Sequence, residues 1–404
     1  ADLSSFAGVW GHFTRADYGT FKLAQGNVVA TSSQFWEATN FWFHVAIKDS
    51  LYIGLALALF GLYKELRKVT GLILTLTFCF VFYMIIFHLL SNLRLNEPLF
   101  VGVQERFWQQ TQIFVFLCAG FGFFHLFEYL QGYWKFPRIR LGYVAGAVAA
   151  IAVALQISIN YRTMDQSQTR GIAEFGSSVL KPLPPNTLLL SLGDIYYNSM
   201  HYLQLCENLR PDVKIVERAI LTRPWALPLY KTNYPGVEFP NQFYTMLRRD
   251  TLPPGHYNLV QLIQANAGKF PIAFVNPGRD EDLAWEQYFA SYPYGYVSIL
   301  LPQNMPLDIS LYVKQSHAIA QGILEWIPKY RTMPPETWEK HVTDLFYGEE
   351  IHRSLTLFYY VQKFGVDPTV RAEIIQELET ILRRHPGPPQ ILADNIQTLK
   401  RMGK

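Results

Sequence analysis

The chain has 404 residues, half of them apolar and only 17% charged, with a net charge of +3. Such sparse charge does not suit an ordinary soluble protein, and the near-neutral balance, with no basic tract or ring-stacking motif, excludes a nucleic-acid partner. The cysteines Cys79, Cys118 and Cys206 give no disulfide framework and leave the redox compartment open.

Residues 1–40 are polar and aromatic, without a run long enough to span a membrane. Residues 8–13 read as a short amphipathic helix lying on a membrane, followed by a turn at Tyr18-Gly19-Thr20, where Gly19 supplies a conformation other residues resist. Arg15, Asp17 and Tyr18 beside a membrane face suit an anionic headgroup or a lipid-linked phosphate, because guanidinium forks match phosphate oxygens. The plainer reading of Arg15 and Asp17 is that they orient a surface helix. The sequence opens on Ala1, with neither an initiator Met nor a signal peptide ahead of a segment placed outside the cytosol. The expectation is therefore the later part of a longer chain.

Residues 41–160 read as a transmembrane block of about four helices. The runs 69–90, 110–130 and 142–159 approach the roughly 20 residues needed to cross about 30 Å of hydrocarbon. A shorter charge-free run, 51–63, becomes a fourth span if its helix begins near Phe43, with Lys48 and Asp49 in the headgroup region. Four buried helices of a large soluble protein would show neither this uninterrupted apolar length nor the alternation of loop charge. The connections 64–68 and 135–140 are basic, so the positive-inside rule places them in the cytosol and the residues before 41, the loop 91–109 and everything after Tyr161 on the opposite side. That loop carries Arg94, Glu97, Glu105 and Arg106. The string Glu105-Arg106-Phe107-Trp108 reads either as a helix end meeting water or as one wall of a membrane-level site. His88 and His125, each alone in a span, read as helix-packing groups rather than metal ligands.

After Tyr161 the composition becomes globular. Pro182, Pro184 and Pro185 mark a linker, and residues 187–192 read as a buried strand ended by Gly193-Asp194. A helix over 195–208, a turn at Arg210-Pro211-Asp212 and a strand over 213–216 complete a βαβ unit, which requires parallel pairing. Further strands are expected at 271–275 and 296–301, giving an α/β domain whose ligand site lies at the strands' carboxyl ends, near Gly193, Asp194 and Asn276. Asp280-Glu281-Asp282 matches the letters of a D-x-D metal motif but reads as a solvated loop, and no metal site is assigned. From Ile309 the pattern is helical. One amphipathic run covers 336–364 and is closed by Gly365; Asp367-Pro368 opens another helix to about Arg384; a last helix covers 389–402. The tail looks repeat-like, though without a fixed period.

The segment from Trp10 to Phe21, with Arg15-Ala16-Asp17-Tyr18-Gly19-Thr20 at its centre, resembles the Arg-x-Glu/Asp-Tyr-Gly-Thr segment of the transmembrane protein 260 family. Glu105-Arg106-Phe107-Trp108 and the block from Gly193-Asp194 to Arg210-Pro211-Asp212 resemble that family in order and spacing. The resemblance implies an endoplasmic-reticulum membrane glycosyltransferase of the C-type architecture, without a cofactor. It would move mannose from dolichyl-phosphate mannose to Ser or Thr on immunoglobulin-like plexin and transcription-factor domains of receptors. C-type enzymes carry their catalytic acidic residue in an early loop on the lumenal side, so the catalytic residue is expected upstream of this chain and stays unassigned. Arg15 and Arg106, with Asp17 and Tyr18 positioning them, are candidate donor-phosphate contacts, and Gly193 and Asp194 are candidate ligand or acceptor contacts. The resulting expectation is a multi-span α-helical membrane protein with a lumenal juxtamembrane segment (1–40), the transmembrane block (41–160), a lumenal α/β domain (161–305) and a lumenal helical tail (306–404). The competing reading is a catalytically silent, membrane-anchored module that recognises the acceptor or a partner.

Overall fold

The computed structural model describes residues 3, 5–14, 32–90, 93, 95–134, 138–246, 252–275, 283–303, 305 and 307–402. The chain divides into two compact units, Leu3–Thr169 and Arg170–Lys404.

The first unit is helical. Helix α1 (Phe6–Phe13) begins at Ser5, whose hydroxyl accepts from the Gly8 N–H, and none of its residues is buried. It is followed by α2 (Ser32–Asp49), α3 (Ile53–Leu66), α4 (Gly71–Leu90), α5 (Pro98–Trp134) and α6 (Arg138–Met164). Three of these, α4, α5 and α6, are long and apolar enough to cross a membrane, and α2 with α3 make a fourth candidate only as a bent pair. The expected fourth span from near Phe43 through Tyr63 is thus not one continuous helix but this bent pair. The two helices meet at 103°, with Leu51 and Tyr52 at φ 54° and 64°. Left-handed backbone at non-glycine residues is strained and persists only where surroundings fix it. Here the Asp49 carbonyl, freed by the break, accepts from the Gln156 side chain of α6.

The closest packing in this unit is α3 against α5, and it depends on two glycines. A Cβ on Gly61 would overlap the Cys118 carbonyl oxygen, and one on Gly122 would overlap the Leu57 carbonyl oxygen. Small residues let helix backbones approach in an apolar environment, where dispersion replaces the hydrophobic effect. Ala58, Phe114, Val115 and Cys118 fill the space around the contact.

The second unit is built on a five-stranded sheet of order β2-β1-β5-β7-β6. After α7 (Gly171–Leu180) come β1 (Leu188–Ser191), α8 (Asp194–Glu207), β2 (Lys214–Glu217), the single turn α9 (Arg218–Leu221) and α10 (Ala226–Asn233). Two short strands, β3 (Phe243–Tyr244) and β4 (His256–Tyr257), pair apart from the main sheet, and α11 (Leu259–Asn266) leads into β5 (Ile272–Val275). The hairpin β6 (Phe289–Tyr294) and β7 (Val297–Pro302) follows. β1 is parallel to β2 and to β5, with Leu188 opposite both Lys214 and Ile272, and the hairpin joins β5 antiparallel through β7. The expected parallel βαβ unit is present. β6 was not expected: Pro293 argues against a strand in sequence, but β6 is an edge strand, where a proline is tolerated. Gly295, at φ 67°, gives the hairpin its tight turn.

Both faces of the sheet are covered. Leu189, Ile215, Ala273, Val275 and Val297 pack with α7 and α8 on one side, while Leu188, Leu190, Val216, Ile272 and Phe274 pack with α10 and α11 on the other. The unbroken apolar run of β1 has this cause. Arg210 fastens the linker ahead of β1: its guanidinium donates to the carbonyls of Leu180, Lys181, Leu183 and Pro184 and pairs with Asp212 at 2.9 Å. The guanidinium holds the Asp212 carboxyl well below the usual carboxylate range.

Four further helices complete the unit: α12 (Ile309–Leu324), α13 (Trp338–Phe364), α14 (Pro368–Arg384) and α15 (Gln390–Arg401). Asp367 caps α14, with Pro368 in its first turn, and Gly365 follows α13, as the sequence predicts. The helices join the same body as the sheet; the Tyr296 hydroxyl in the β6–β7 turn donates to the Val342 carbonyl of α13.

The glycine contact gives a direct test of the first unit. Gly122→Val is expected to cost at least about 1–3 kcal/mol, because the overlapping neighbour is backbone and cannot rotate away. The thermal unfolding midpoint of the protein in detergent micelles should fall accordingly, whereas Gly120→Val, over open space, should change it far less.

Candidate functional site

The carboxyl ends of β1, β2 and β5 converge where the chain leaves β1 toward β2 and leaves β5 toward the hairpin, on opposite sides. Open α/β sheets form a crevice at such a reversal. Gly193 follows β1 at φ 111° and ψ 146°, a conformation closed to most side chains, and it turns the chain into α8. Asp194, the first residue of α8, is exposed.

A buried carboxylate holds this corner. Glu217, the last residue of β2, is 2% exposed. One of its oxygens accepts from the Ser191 hydroxyl at 2.7 Å, and the other accepts from the N–H groups of Gly193 and Ala219 at 3.1 and 3.2 Å. Its own N–H donates to the Tyr230 hydroxyl at 3.0 Å. Burial raises the Glu217 carboxyl above its usual value, opposed by these hydrogen bonds. Arg218 beside it is fully buried, with its guanidinium donating to the Ser191 carbonyl and standing 5.3 Å over the Phe274 ring. Glu217 and Arg218 are consumed in holding the corner. The Gly193 N–H is committed to Glu217 and its carbonyl to the Tyr197 N–H, so what the corner presents outward is the Asp194 carboxylate.

Gly193 and Asp194 therefore come together with Ser191, Glu217 and Arg218. Sequence reasoning missed Glu217 and Arg218, although a carboxylate placed directly after a buried strand was the signal available. Arg15, Asp17 and Tyr18 lie outside the described residues, as do Asn276 and Asp280-Glu281-Asp282. Arg106 is exposed on α5. The expectation of a loop through residue 109 is corrected, because α5 starts at Pro98, whose fixed φ suits a first helical turn. The string Glu105-Arg106-Phe107-Trp108 splits across the helix: Glu105 and Arg106 face outward, and Trp108 is 1% exposed.

The two histidines are packing groups, as expected, but not isolated ones. The Trp108 indole N–H donates to His88 Nε2 at 3.1 Å, so the His88 proton sits on Nδ1, 3.1 Å from the Thr39 hydroxyl. His125 lies between Glu65 at 2.6 Å and Glu128 at 3.1 Å, and Lys68 pairs with Glu65 at 2.7 Å. In the second unit Glu350 and Arg353 of α13 meet Glu377 and Arg384 of α14 in a buried, charge-balanced cluster. Burial pushes Arg384 down to about 10. Among the described residues no group of three or more His, Cys, Asp or Glu is arranged to hold a metal ion.

Over 381 residues, 92% of this chain, the sequence is 28% identical to the mouse (Mus musculus) protein named Protein O-mannosyl-transferase TMEM260, and the match covers 52% of that protein. Over 323 residues, 75% of this chain, it is 29% identical to the Dictyostelium discoideum protein of the same name, covering 38% of it. The chain thus spans about half the length of the mouse relative and less of the other. No family model matches the chain, and no solved structure matches it. The two relatives bear out the resemblance to the transmembrane protein 260 family.

Glu217 can be tested apart from any activity. Glu217→Ala strands the Gly193 and Ala219 N–H groups and is expected to cost the unit about 1–3 kcal/mol. Because burial raises the carboxyl above 4.5, the folded state retains a proton that the unfolded state releases in the window just above that value, so stability falls as pH rises through it. Glu217→Gln, with no proton to retain, should remove that part of the slope. Hydrogen exchange of peptides covering residues 188–219, followed against pH, reads both effects.

Proposed function

We propose that this chain, a homologue of the transmembrane protein 260 family, is part of a membrane protein O-mannosyltransferase. The observation that carries the reading is the match to the mouse O-mannosyl-transferase over 92% of this chain. The reaction moves mannose from dolichyl-phosphate mannose to a Ser or Thr hydroxyl on folded receptor ectodomains, those of immunoglobulin-like plexin and transcription-factor type. The acceptor oxygen bonds to the anomeric carbon, the bond from that carbon to the phosphate oxygen breaks, and dolichyl phosphate leaves with the negative charge. A group that takes the hydroxyl proton is required, and no residue of this chain is assigned to it.

The residues suited to the leaving group are Arg106 and Arg15, with Asp17 and Tyr18 beside the latter. A guanidinium at membrane depth neutralises a lipid phosphate and stabilises the charge that builds on it as the sugar departs. The outward position of Arg106 on α5, a helix long and apolar enough to span, supports this role. Positive charge in the connections 64–68 and 135–140 supports placing the second unit in the lumen of the endoplasmic reticulum, where folded ectodomains are available. There the Gly193–Asp194 corner suits a contact with the acceptor.

Mannosyl transfer from dolichyl-phosphate mannose to a folded receptor domain, measured on the protein in native membranes, tests the reading. Arg106→Ala and Arg15→Ala are each expected to lower transfer by about tenfold to a hundredfold, the worth of a charge-assisted hydrogen bond. Unchanged transfer in both variants would remove the arginines from the donor site. Acceptor binding without any transfer would favour a silent recognition module.

A further inference from the structure

Helix α1 presents an apolar surface that the spans do not account for. None of its eight residues is buried. Phe6, Trp10 and Phe13 are 83%, 57% and 78% exposed. Their spacing of i, i+4 and i+7 sets them on one side of the helix. There the rings lie against one another, with centroids 6.5 Å apart for Phe6 and Trp10 and 5.9 Å apart for Trp10 and Phe13. Val9, also exposed, borders this face, while Gly8 and Gly11 on the opposite side are partly buried. The sequence reading starts the helix at residue 8. The structure starts it at Phe6 and so adds the first ring of the face.

The ends of α1 are satisfied from within. Ser5 caps the first turn, and the Thr14 hydroxyl donates to the Trp10 carbonyl at 2.8 Å. Its stability needs more than that. Isolated helices shorter than about 12–15 residues are marginal in water, and helices in proteins depend mostly on burying an apolar face. α1 has such a face and leaves it uncovered by the protein. An apolar phase outside the chain is needed to cover it.

We propose that α1 lies in the interfacial layer of the bilayer with Phe6, Trp10 and Phe13 turned into it, held by apolar burial and not by charge. Trp concentrates at that depth, and Trp and Phe are typical of the apolar face of helices that lie there. α1 contains no Asp, Glu, Lys or Arg, so it lacks the basic face by which many such helices bind anionic headgroups. A protein partner fits less well. A stable protein interface takes about 800 Å² from each side, and one face of a helix about 12 Å long does not supply it. Eight residues are also too few to span, which takes about 20. The same unit holds three helices long and apolar enough to cross a membrane, so a bilayer is within reach of α1. The anchor stands whether or not the chain is a transferase.

Fluorotryptophan NMR on the full chain in phosphatidylcholine nanodiscs tests the proposal, with the Trp10→Phe spectrum assigning the Trp10 line among the nine tryptophans. A nitroxide at the top of the acyl chain is expected to broaden that line more than one at the chain end. A water-soluble gadolinium chelate should leave it sharp, and added phosphatidylserine should change neither result. The double variant Phe6→Ser/Phe13→Ser alters only exposed side chains and should raise the gadolinium broadening severalfold. Gadolinium broadening in the unaltered protein would place α1 in water, and protection from all three probes would place it against protein. Stronger broadening from the chain end would place it across the bilayer, and a need for phosphatidylserine would make charge the anchor. Each of these outcomes, or an unchanged line in the double variant, would overturn the proposal.

Discussion

Burial of the parallel strands on both faces is the constraint from which the second unit follows. Water reaches neither face, so every polar group at a strand end must find a partner within the protein or be left at a cost. Glu217 answers this at the carboxyl ends by gathering a hydroxyl and two backbone N–H groups. Arg210 answers it ahead of β1, where an irregular linker would otherwise leave carbonyls without donors. The candidate ligand corner is a by-product of the first arrangement. Gly193 is held open because its N–H is committed inward to Glu217, and Asp194 is left facing out.

The first unit meets the same constraint without water on its outer surface. Its polar side chains join helices rather than decorate them: Thr39, His88 and Trp108 link α2, α4 and α5, and the Trp42 indole donates to Thr111 at 2.8 Å. The bend between α2 and α3 is tolerated because Gln156 supplies the donor that the broken ladder lacks. Close approach of α3 and α5 at Gly61 and Gly122 then brings Glu65 within reach of His125 one turn further along. Packing by small residues and pairing by polar ones are one arrangement here.

Much of this was legible in the sequence where the signal is local. The apolar run of β1, the Asp367-Pro368 start of α14 and the Gly365 stop of α13 each follow from a few neighbouring residues. The features that escaped depend on partners far along the chain. Leu51 and Tyr52 have no preference for left-handed backbone, and the donor that satisfies the carbonyl freed beside them, Gln156, lies more than a hundred residues later on α6. β6 was hidden by Pro293, whose acceptability depends on the strand being at an edge, which only the sheet order decides. Gly193 and Asp194 were visible as the end of a strand, but the carboxylate that shapes their corner lies on β2. Arg106 was visible as charge near a span, while its outward position follows from where α5 begins.

The other edge of the sheet carries a consequence of its own. The outward N–H groups of Ile215 and Glu217 in β2 do not face solvent, because the hydroxyls of Tyr234 and Tyr230 accept from them at 3.4 and 3.0 Å. Burial keeps both phenols neutral. A visiting polypeptide therefore finds no template for strand addition along this side, and the sheet is protected there from edge-to-edge self-association without a proline or a charged gatekeeper.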